Sequence, residues 1–372
     1  MRRRAFLASG SALAVRPPVP AASGDPSARV TFAGDGLGLT PLEYSRLLTR
    51  VVEERNIQPD SYALGGVIEQ LEERFASILG KEQAVFLPTG TLANHLAVRL
   101  LAGGRRRVLV QQESHLYNDC GDCAQTLSGL NLAPLAAGRA TFTADETAAQ
   151  LRTDGRVPTP AGAIQIESPV RRKQGELFEP GEMRKVCALA RTKGIGLHLD
   201  GARIFLASAY TGVSPAGYAA LFDTVYVSLY KYFNAASGAI LAGPKRLLDG
   251  LFNTRRQFGG GLAHAWPMAA VALHYVDGFE QRYLAARKAS EELYSQLEKT
   301  GRFRIGRIQP GSNLAWLRVA QGDAAAFRTR LSANGISVPA PDSSGGILVA
   351  VNETLLRRPV DVLTRAFISA LG

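Results

Sequence analysis

Short apolar runs alternate along the middle of the chain with amphipathic segments of helical length. The apolar runs predict strands at residues 83–87, 108–111, 163–167, 196–199, 225–229 and 238–242. Helices are predicted between them, among others at residues 92–101 and 182–192. Continuous apolar strands separated by helices indicate a mainly parallel sheet that is covered on both faces. The pattern therefore predicts an α/β fold.

Helical patterns flank this region on both sides. Amphipathic helices are predicted at residues 42–54 and 67–79, and a long helical region at 267–298 follows the triple glycine 259–261. The tail then predicts strands at 313–319 and 347–351 and helices at 324–334 and 360–371, which together suggest a small α+β domain. The predicted organisation is an export signal and linker (1–25), an N-terminal arm (26–60), a large domain (61–262) and a small C-terminal domain (263–372).

The first 25 residues have a different composition. Three arginines at positions 2–4 precede a modest apolar stretch at 8–15 and then a segment rich in Pro, Ala, Ser and Gly. This order is typical of an export signal, and Arg3-Arg4-Ala5-Phe6-Leu7 fits the twin-arginine pattern. The alternative is a disordered basic tail. We expect export, to the periplasm of a bacterial cell, and leave these residues out of the fold argument.

Composition and charge narrow the class of protein further. The 372 residues are 46% hydrophobic and 20% charged, as in ordinary globular proteins. No apolar run approaches the roughly 20 residues that span a bilayer, so no membrane association is expected once the signal is removed. The net charge is +11, but the basic runs are short, scattered and free of interleaved aromatic residues, so no nucleic-acid surface is predicted.

The chain contains three cysteines, which are too few for a disulfide framework. Cys120 and Cys123 form a single CxxC without a partner pair, so no zinc or other metal site is predicted. Buried thiols are the simplest interpretation, and a local disulfide becomes possible in an oxidising compartment. We predict no redox role for the pair.

Two residues at predicted strand ends carry the candidate chemistry. Lys231 follows the run at 225–229, and Asp200 follows the run at 196–199. A desolvated lysine at a strand end can form a Schiff base with an aldehyde cofactor, and an aspartate can keep that cofactor's ring nitrogen protonated. These are the two groups that pyridoxal 5′-phosphate (PLP) chemistry most needs. Taken singly, Lys231 could be a surface lysine and Asp200 a helix cap.

Further residues at strand ends fit the same cofactor. Gly90 and Thr91 follow the first strand and open a helix, where backbone N–H groups can hold a phosphate, although a plain turn would look the same. His115 could stack on a pyridine ring, or be structural. Ser228 could donate to the phosphate, and Arg203 supplies a cation for a phosphate or carboxylate. The order of these features supports the PLP prediction more than any one of them.

Three motifs resemble the threonine aldolase / aromatic amino acid β-eliminating lyase family. They are Pro88-Thr89-Gly90-Thr91-Leu92-Ala93-Asn94, Glu113-Ser114-His115-Leu116-Tyr117 and His198-Leu199-Asp200-Gly201-Ala202-Arg203-Ile204-Phe205, within a likeness that runs from about residue 60 to 261. The resemblance implies PLP dependence, the transferase-like fold type I, and a homodimer or homotetramer with active sites between subunits. It also implies roles for matched residues.

By that resemblance Lys231 is the Schiff-base lysine, Asp200 the ring-nitrogen partner and His115 the stacking residue. Gly90 and Thr91 resemble phosphate ligands, and Arg203 an arginine near the substrate carboxylate.

The chain departs from the family at four places. Gly34 stands where a serine usually precedes the aspartate, here Asp35, and Leu262-Ala263 stands where an arginine often follows the triple glycine. The nearest match to a late, carboxylate-binding arginine is the apolar Ile347. The residue before Lys231 is the bulky Tyr230, whereas the family usually has small residues around its lysine. Loss of the late arginine removes a charge-assisted contact worth about 1.5–3 kcal/mol.

The predicted reaction is cleavage of the Cα–Cβ bond of a β-hydroxy-α-amino acid to glycine and an aldehyde, with His115 or a water it holds taking the β-hydroxyl proton. A PLP transaminase or a β-eliminating lyase acting on another amino acid is the first alternative, because the same carbanion serves all three. Ser228 to Lys231 is also an SxxK and residues 299–301 are a KTG, so an exported serine β-lactamase-like enzyme is a remote alternative. A non-catalytic relative is the third.

Overall fold

The computed structural model describes residues 29–154 and 157–372. The export signal expected at residues 1–25 lies outside the described residues. Among the helices that the structure does describe, none has both the length and the apolar character needed to cross a bilayer.

The strands follow the apolar runs of the sequence closely. In chain order they are β1 (Val30–Thr31), β2 (Gln83–Leu87), β3 (Arg107–Gln111), β4 (Asn131–Leu135), β5 (Ala161–Glu167), β6 (Gly196–Asp200), β7 (Thr224–Ser228), β8 (Ala239–Gly243), β9 (Phe303–Arg307), β10 (Leu314–Val319), β11 (Ile336–Ser337) and β12 (Ile347–Ala350).

The helices occupy the amphipathic segments. In chain order they are α1 (Pro41–Arg55), α2 (Gly66–Leu79), α3 (Gly90–Ala102), α4 (His115–Asn118), α5 (Cys123–Ser128), α6 (Ala144–Asp154), α7 (Pro180–Thr192), α8 (Ile204–Thr211), α9 (Pro215–Ala219), α10 (Lys245–Leu248), α11 (Leu251–Gln257), α12 (Trp266–Val276), α13 (Phe279–Lys299), α14 (Ala324–Ala333) and α15 (Val360–Ser369).

A seven-stranded sheet forms the centre of the molecule, in the order β2-β8-β7-β6-β5-β3-β4. β8 pairs antiparallel with both β2 and β7, and the other neighbours are parallel. Helices cover both faces: Phe86 and Ile240 pack with Phe75 of α2, while Val85 and Leu241 pack in another cluster with Leu96 of α3. The predicted α/β architecture with a mainly parallel sheet is confirmed.

A smaller antiparallel sheet, β12-β10-β9, lies in the C-terminal part of the chain and shares its core with residues of α13, α14 and α15. β1 pairs in parallel with β11, so the N-terminal arm begins against this C-terminal part. Val30 and Phe32 are buried in the same core. The residues that follow β1 lead from this small sheet to the edge of the large one.

The register of the large sheet aligns three strand ends. Glu167 of β5 is level with Asp200 of β6, and Asp200 is level with Tyr226 of β7. Since β5, β6 and β7 run parallel, their carboxyl ends meet at one edge. Side chains from these strand ends, and from the turns that follow them, therefore converge on one place.

Candidate active site

A cleft of about 810 Å³ opens at the carboxyl ends of the parallel strands. Its walls include His115, Asp200, Arg203 and Lys231, so four residues that the sequence singled out line one space. Residues of the N-terminal arm and the start of α1, from Ala33 to Ser45, form the opposite wall. The cleft is large enough for a cofactor and a small substrate.

Asp200 is held by a chain of buried polar side chains. It is 2% exposed, and its Oδ2 accepts a hydrogen bond from Asn94 Nδ2 at 2.6 Å. The other end of that amide, Oδ1, lies 2.8 Å from His198 Nε2, and His198 Nδ1 lies 2.9 Å from Thr224 Oγ1. Asn94 Oδ1 is an acceptor, so His198 carries its proton on Nε2. Burial lowers the pKa of His198 to about 4 and keeps the ring neutral.

Asn94 was missed by the sequence argument. It lies on α3, on the side that faces the sheet, and is fully buried. A buried asparagine in an apolar helix face indicates a polar partner, because an unpaired amide there would be costly. That signal was present in the motif at residues 88–94, but the partner could be found only in three dimensions.

Glu167 is a second buried carboxyl group that the sequence did not single out. Its Oε2 accepts from the backbone N–H of His115 at 2.5 Å, and its Oε1 accepts from the backbone N–H of Arg171 at 2.8 Å. Burial, and then the negative charge of Asp200, raise the pKa of Glu167 to about 8. The site thus pairs one carboxylate with a second carboxyl group that can retain a proton near neutral pH.

His115 opens the short helix α4, directly after β3 and a single turn. Its side chain lines the cleft, and its Nδ1 lies 3.2 Å from the Sγ of Cys120. The backbone contact with Glu167 fixes the start of α4 against the end of β5. The ring is therefore positioned from two sides, by a carboxylate through its backbone and by a thiol through its side chain.

The start of α3 lies against Tyr226 of the cleft wall, although neither Gly90 nor Thr91 is in that wall itself. Thr89 caps the helix through its Oγ1, which accepts from the backbone N–H of Leu92 at 3.2 Å. A Cβ on Gly90 would lie 2.0 Å from the hydroxyl oxygen of Tyr226, so only glycine fits there. Among the described residues, the buried hydroxyl of Ser228 has no partner at hydrogen-bond geometry.

Lys231 lies in the turn after β7 and is partly exposed. Its Nζ donates to the hydroxyl of Tyr230 at 3.2 Å and lies 4.5 Å from the centre of that ring. Lys231 and Asp200 line the same cleft, which is the arrangement that PLP chemistry requires.

Arg203 is paired with the N-terminal arm. Its Nε lies 2.8 Å from Asp35 Oδ2, and Asp35 Oδ1 accepts from Asn313 Nδ2 at 3.2 Å. Asn313 precedes β10 of the small sheet. The ion pair therefore joins the arm, the large sheet and the small sheet at the cleft.

Gly36 lets the arm approach the turn that carries Lys231. A Cβ at this position would lie 2.3 Å from the backbone oxygen of Lys231 and 2.5 Å from Asn234 Oδ1. That same Oδ1 accepts from the backbone N–H of Leu37 at 2.7 Å.

We expect Gly36→Ala to push the arm away from the Lys231 turn. Overpacking of this kind costs about 1–3 kcal/mol, so the free energy of unfolding should fall by that amount. Chemical denaturation of the wild type and variant measures it. Gly104→Ala is the matched control, since a Cβ there meets open space. Equal loss of stability in the two variants would contradict the close approach.

The structure also shows what occupies the place of the family's late arginine, and whether the SxxK and KTG sequences form a β-lactamase-like site. Ile347 is fully buried in β12 opposite Leu317, so no cation enters the cleft from that position. Ser228 ends a strand instead of opening a helix, and residues 299–301 span the end of α13 and the turn after it, instead of a core strand. A β-lactamase-like site is therefore not formed.

Comparison with known proteins supports the resemblance. The family model described as beta-eliminating lyase matches residues 49–319. The low-specificity L-threonine aldolase of Candida albicans is 30% identical over 214 residues, which are 56% of this chain and 56% of that protein. That of Escherichia coli K12 is 23% identical over 297 residues, 80% of this chain and 87% of that protein.

The alanine racemase TOXG of Cochliobolus carbonum is 29% identical over 270 residues, 72% of this chain and 67% of that protein. The match to the Candida albicans aldolase covers only a little over half the length of that protein.

Solved structures extend the comparison over the described fold. A Listeria monocytogenes protein assigned as an L-allo-threonine aldolase superposes with a TM-score of 0.76 at 26% identity, covering 92% of this chain and 95% of the other. The threonine aldolase of Leishmania major gives a TM-score of 0.68 at 17% identity, with 92% and 98% coverage, and shows likeness of fold.

Proposed function

The chain belongs to the beta-eliminating lyase family, and on that basis we propose that it is a PLP-dependent lyase of the threonine aldolase type. The proposed reaction cleaves the Cα–Cβ bond of a β-hydroxy-α-amino acid to give glycine and an aldehyde. The observation that carries the proposal is the cleft in which Lys231, Asp200 and His115 meet at the strand ends. The fold is that of the PLP-dependent fold type I enzymes, as predicted.

The residues in and beside the cleft fit PLP. The buried hydroxyl of Ser228 needs a hydrogen-bond partner, and the bare backbone of Gly90 opens α3 against Tyr226, a residue of the cleft wall. Backbone N–H groups at a helix N-terminus suit a phosphate dianion. Asp200 offers a carboxylate for the ring nitrogen, and Lys231 an amine for the aldehyde. His115 offers the face of its ring.

PLP, when bound, supplies an electron sink for the bond that breaks at Cα. The residues of this chain do the rest. Asp200, oriented by Asn94, would hold the protonated ring nitrogen of the cofactor through its carboxylate. Lys231 would hold the aldehyde carbon through its Nζ. His115, or a water it holds, takes the proton of the β-hydroxyl group.

Substrate carboxylate binding is assigned to Arg203, with Asp35 as its positioning residue. The guanidinium is paired through Nε with Asp35, which fixes its plane. Arg171 is a second cation in the wall of the cleft, and its NH2 is paired with Asp119 at 2.9 Å. In the family a late arginine binds the substrate carboxylate, and Ile347 stands at its place here. The sequence did not predict that Arg203 or Arg171 takes over this role.

The proposed reaction is tested by supplying the purified holoenzyme with threonine and with phenylserine, and measuring release of acetaldehyde or benzaldehyde together with glycine. Equimolar glycine and aldehyde support aldol cleavage. Keto acid formed from the substrate only when an amino-group acceptor is added, with the acceptor converted to an amino acid, would instead identify a transaminase. Keto acid released together with ammonia would identify a β-eliminating lyase.

We expect Asn94→Leu to weaken PLP binding as well as stability. The substitution leaves Asp200 Oδ2 and His198 Nε2 without this partner, at a cost of about 1–3 kcal/mol for each buried group. The dissociation constant for PLP, titrated into apoprotein by absorbance, should rise roughly tenfold or more. Thr224→Val is the control, because it removes only the far end of the chain of hydrogen bonds. Unchanged PLP affinity in Asn94→Leu would show that Asn94 does not position Asp200.

A homodimer or homotetramer is proposed as the working assembly. The support is the family resemblance together with exposed apolar side chains near the cleft. Leu42, which follows Pro41 of the cleft wall, is 60% exposed, and Tyr230 in that wall is 45% exposed. Light scattering during size-exclusion chromatography tests it, and a monomer at micromolar concentration would refute it.

Export through the twin-arginine route is proposed from the motif at residues 3–7, since proteins that travel this route are already folded and can carry a bound cofactor. Fractionation of cells that express the full chain tests this. Replacement of Arg3 and Arg4 by lysines should retain the protein in the cytoplasm.

A further inference from the structure

The CxxC segment, for which the sequence predicts no redox role, lies on a tight turn beside the cleft. Gly121 (φ 58°) and Asp122 (φ 51°) are both left-handed, and the backbone N–H of Cys123 donates to the carbonyl of Cys120 at 3.3 Å. This turn folds the chain back and brings the two side chains together. Each thiol shifts the pKa of the other, which places the two sulfur atoms near each other.

Cys120 contacts two residues of the proposed active site. Its Sγ lies 3.2 Å from His115 Nδ1, and its S–H donates to Thr91 Oγ1 across 3.8 Å. With the S–H directed at Thr91, the sulfur accepts from Nδ1–H of His115. A neutral His115 then has its lone pair on Nε2, which is the form that a base requires. Cys120 therefore acts on His115 as a positioning residue.

The two thiols differ in access and acidity. Cys123 is partly exposed, whereas Cys120 is buried with 8% of its surface exposed. When Cys123 becomes a thiolate, the S–H of Cys120 turns from Thr91 to donate to it, and this lowers the pKa of Cys123 against the effect of burial. That same contact and burial raise the pKa of Cys120 well above its ordinary value. The thiolate, which is the attacking form in disulfide exchange, therefore forms first at the more accessible sulfur.

We propose that Cys120 and Cys123 are a thiol–disulfide modification site through which an organic disulfide controls His115. The Cys123 thiolate attacks one sulfur of the organic disulfide, whose S–S bond breaks and releases one thiol after protonation. Cys120 then loses its proton, its sulfur attacks Cys123 Sγ, and the second thiol leaves. Two protein thiols are oxidised to one disulfide, and the organic disulfide is reduced to two thiols.

Disulfide formation changes what His115 contacts. The Sγ atoms move to about 2.05 Å apart, and Cys120 has no proton left for Thr91. The sulfur that received Nδ1–H is drawn toward Cys123, so neither the ring orientation nor the tautomer of His115 is maintained. Only this effect on turnover rests on the proposed function. Formation of the disulfide does not.

The test uses holoenzyme with Cys187→Ser, which removes the third cysteine, a buried residue of α7. Samples are equilibrated with mixtures of oxidised and reduced glutathione. We expect loss of both remaining thiols, an intact mass lower by two hydrogens, and a fall in turnover on the order of 10²-fold, the contribution of a well-placed base. Dithiothreitol should restore all three readouts.

Cys123→Ser in the same background is the matched control. It keeps Cys120 against His115 but cannot form the disulfide, so its turnover should equal that of the parent and resist oxidised glutathione. Thiols that stay titratable at every glutathione ratio, or a stable glutathione adduct in place of the internal bond, would refute the site. A complete disulfide with unchanged turnover would refute control of His115. If no substrate turns over, the thiol and mass readouts still decide whether the disulfide forms.

Discussion

Lys231→Ala should abolish covalent attachment of PLP and reduce turnover by roughly 10³-fold or more, since covalent catalysis is lost. The wild-type protein should be yellow as purified, and borohydride should bleach it while fixing the cofactor mass on the peptide that contains position 231. The variant should bind the cofactor reversibly through the remaining phosphate and ring contacts, and borohydride should fix no mass on any peptide.

Two controls make this result specific to position 231. Lys288→Ala removes an exposed lysine of α13 and should retain colour, labelling and turnover. Tyr230→Phe removes the hydroxyl that accepts from Lys231 Nζ but keeps the ring over which that amine lies. It should retain labelling. If Lys231→Ala is still labelled by borohydride at another lysine and still turns over, the assignment of Lys231 is wrong.

The strands and helices predicted from the sequence match the large sheet because its central strands are buried on both faces. All five residues of β7 and all five of β8 are buried, and such strands are uninterrupted apolar runs. The sequence missed the two-residue strands β1 and β11 and two longer edge strands of mixed composition. These are β4 (Asn131–Leu135) and β9 (Phe303–Arg307), and each exposes residues along its length. Their pairing depends on a neighbour distant in sequence, which local pattern does not encode.

The helices show the same distinction. α2 is predicted almost to the residue because its apolar stripe is continuous from Val67 to Leu79. α6 (Ala144–Asp154) was missed, since its polar composition gives little periodicity. The long region predicted at 267–298 is two helices, α12 and α13, separated at Asp277 and Gly278. Gly278 has a φ of 70°, a conformation that ends a helix, and it lies within an otherwise continuous pattern.

Some residues of the candidate site could be predicted from the sequence, and others could be found only in the folded structure. Asp200, His115 and Lys231 could be predicted because each follows a recognisable strand, and strand ends are where α/β proteins bind ligands. Glu167 ends a predicted strand too, level with Asp200, so the same reasoning could have found it. Asn94 and the Asp35–Arg203 pair could not be assigned, because their partners are 106 and 168 residues away in sequence.

Asp200→Asn should lower kcat/KM by roughly 10²–10⁴-fold while leaving the fold intact. Breaking a buried charge pair costs about 3–5 kcal/mol, and the carboxylate at this position is the only anion proposed to face the ring nitrogen. The amide is isosteric and can still accept from Asn94 Nδ2, but its Nδ2 then faces the backbone N–H of Ala202, which donates to Asp200 Oδ1 in the wild type. The free energy of unfolding in the absence of PLP should therefore fall by about 1–3 kcal/mol, and circular dichroism should not change.

The pH dependence separates loss of this charge from a general disturbance of the cleft. The negative charge of Asp200 is the second cause, after burial, of the raised pKa of Glu167. Neutralising it should lower the pKa of Glu167, so the carboxyl group should titrate at lower pH in Asp200→Asn than in the wild type. Infrared difference spectra of the carboxyl band against pH measure this shift in apoprotein. Asp361→Asn, on the exposed face of α15, should change neither the spectra nor kcat/KM. If Asp200→Asn keeps the full kcat/KM of the wild type with PLP bound, then Asp200 is not the partner of the ring nitrogen.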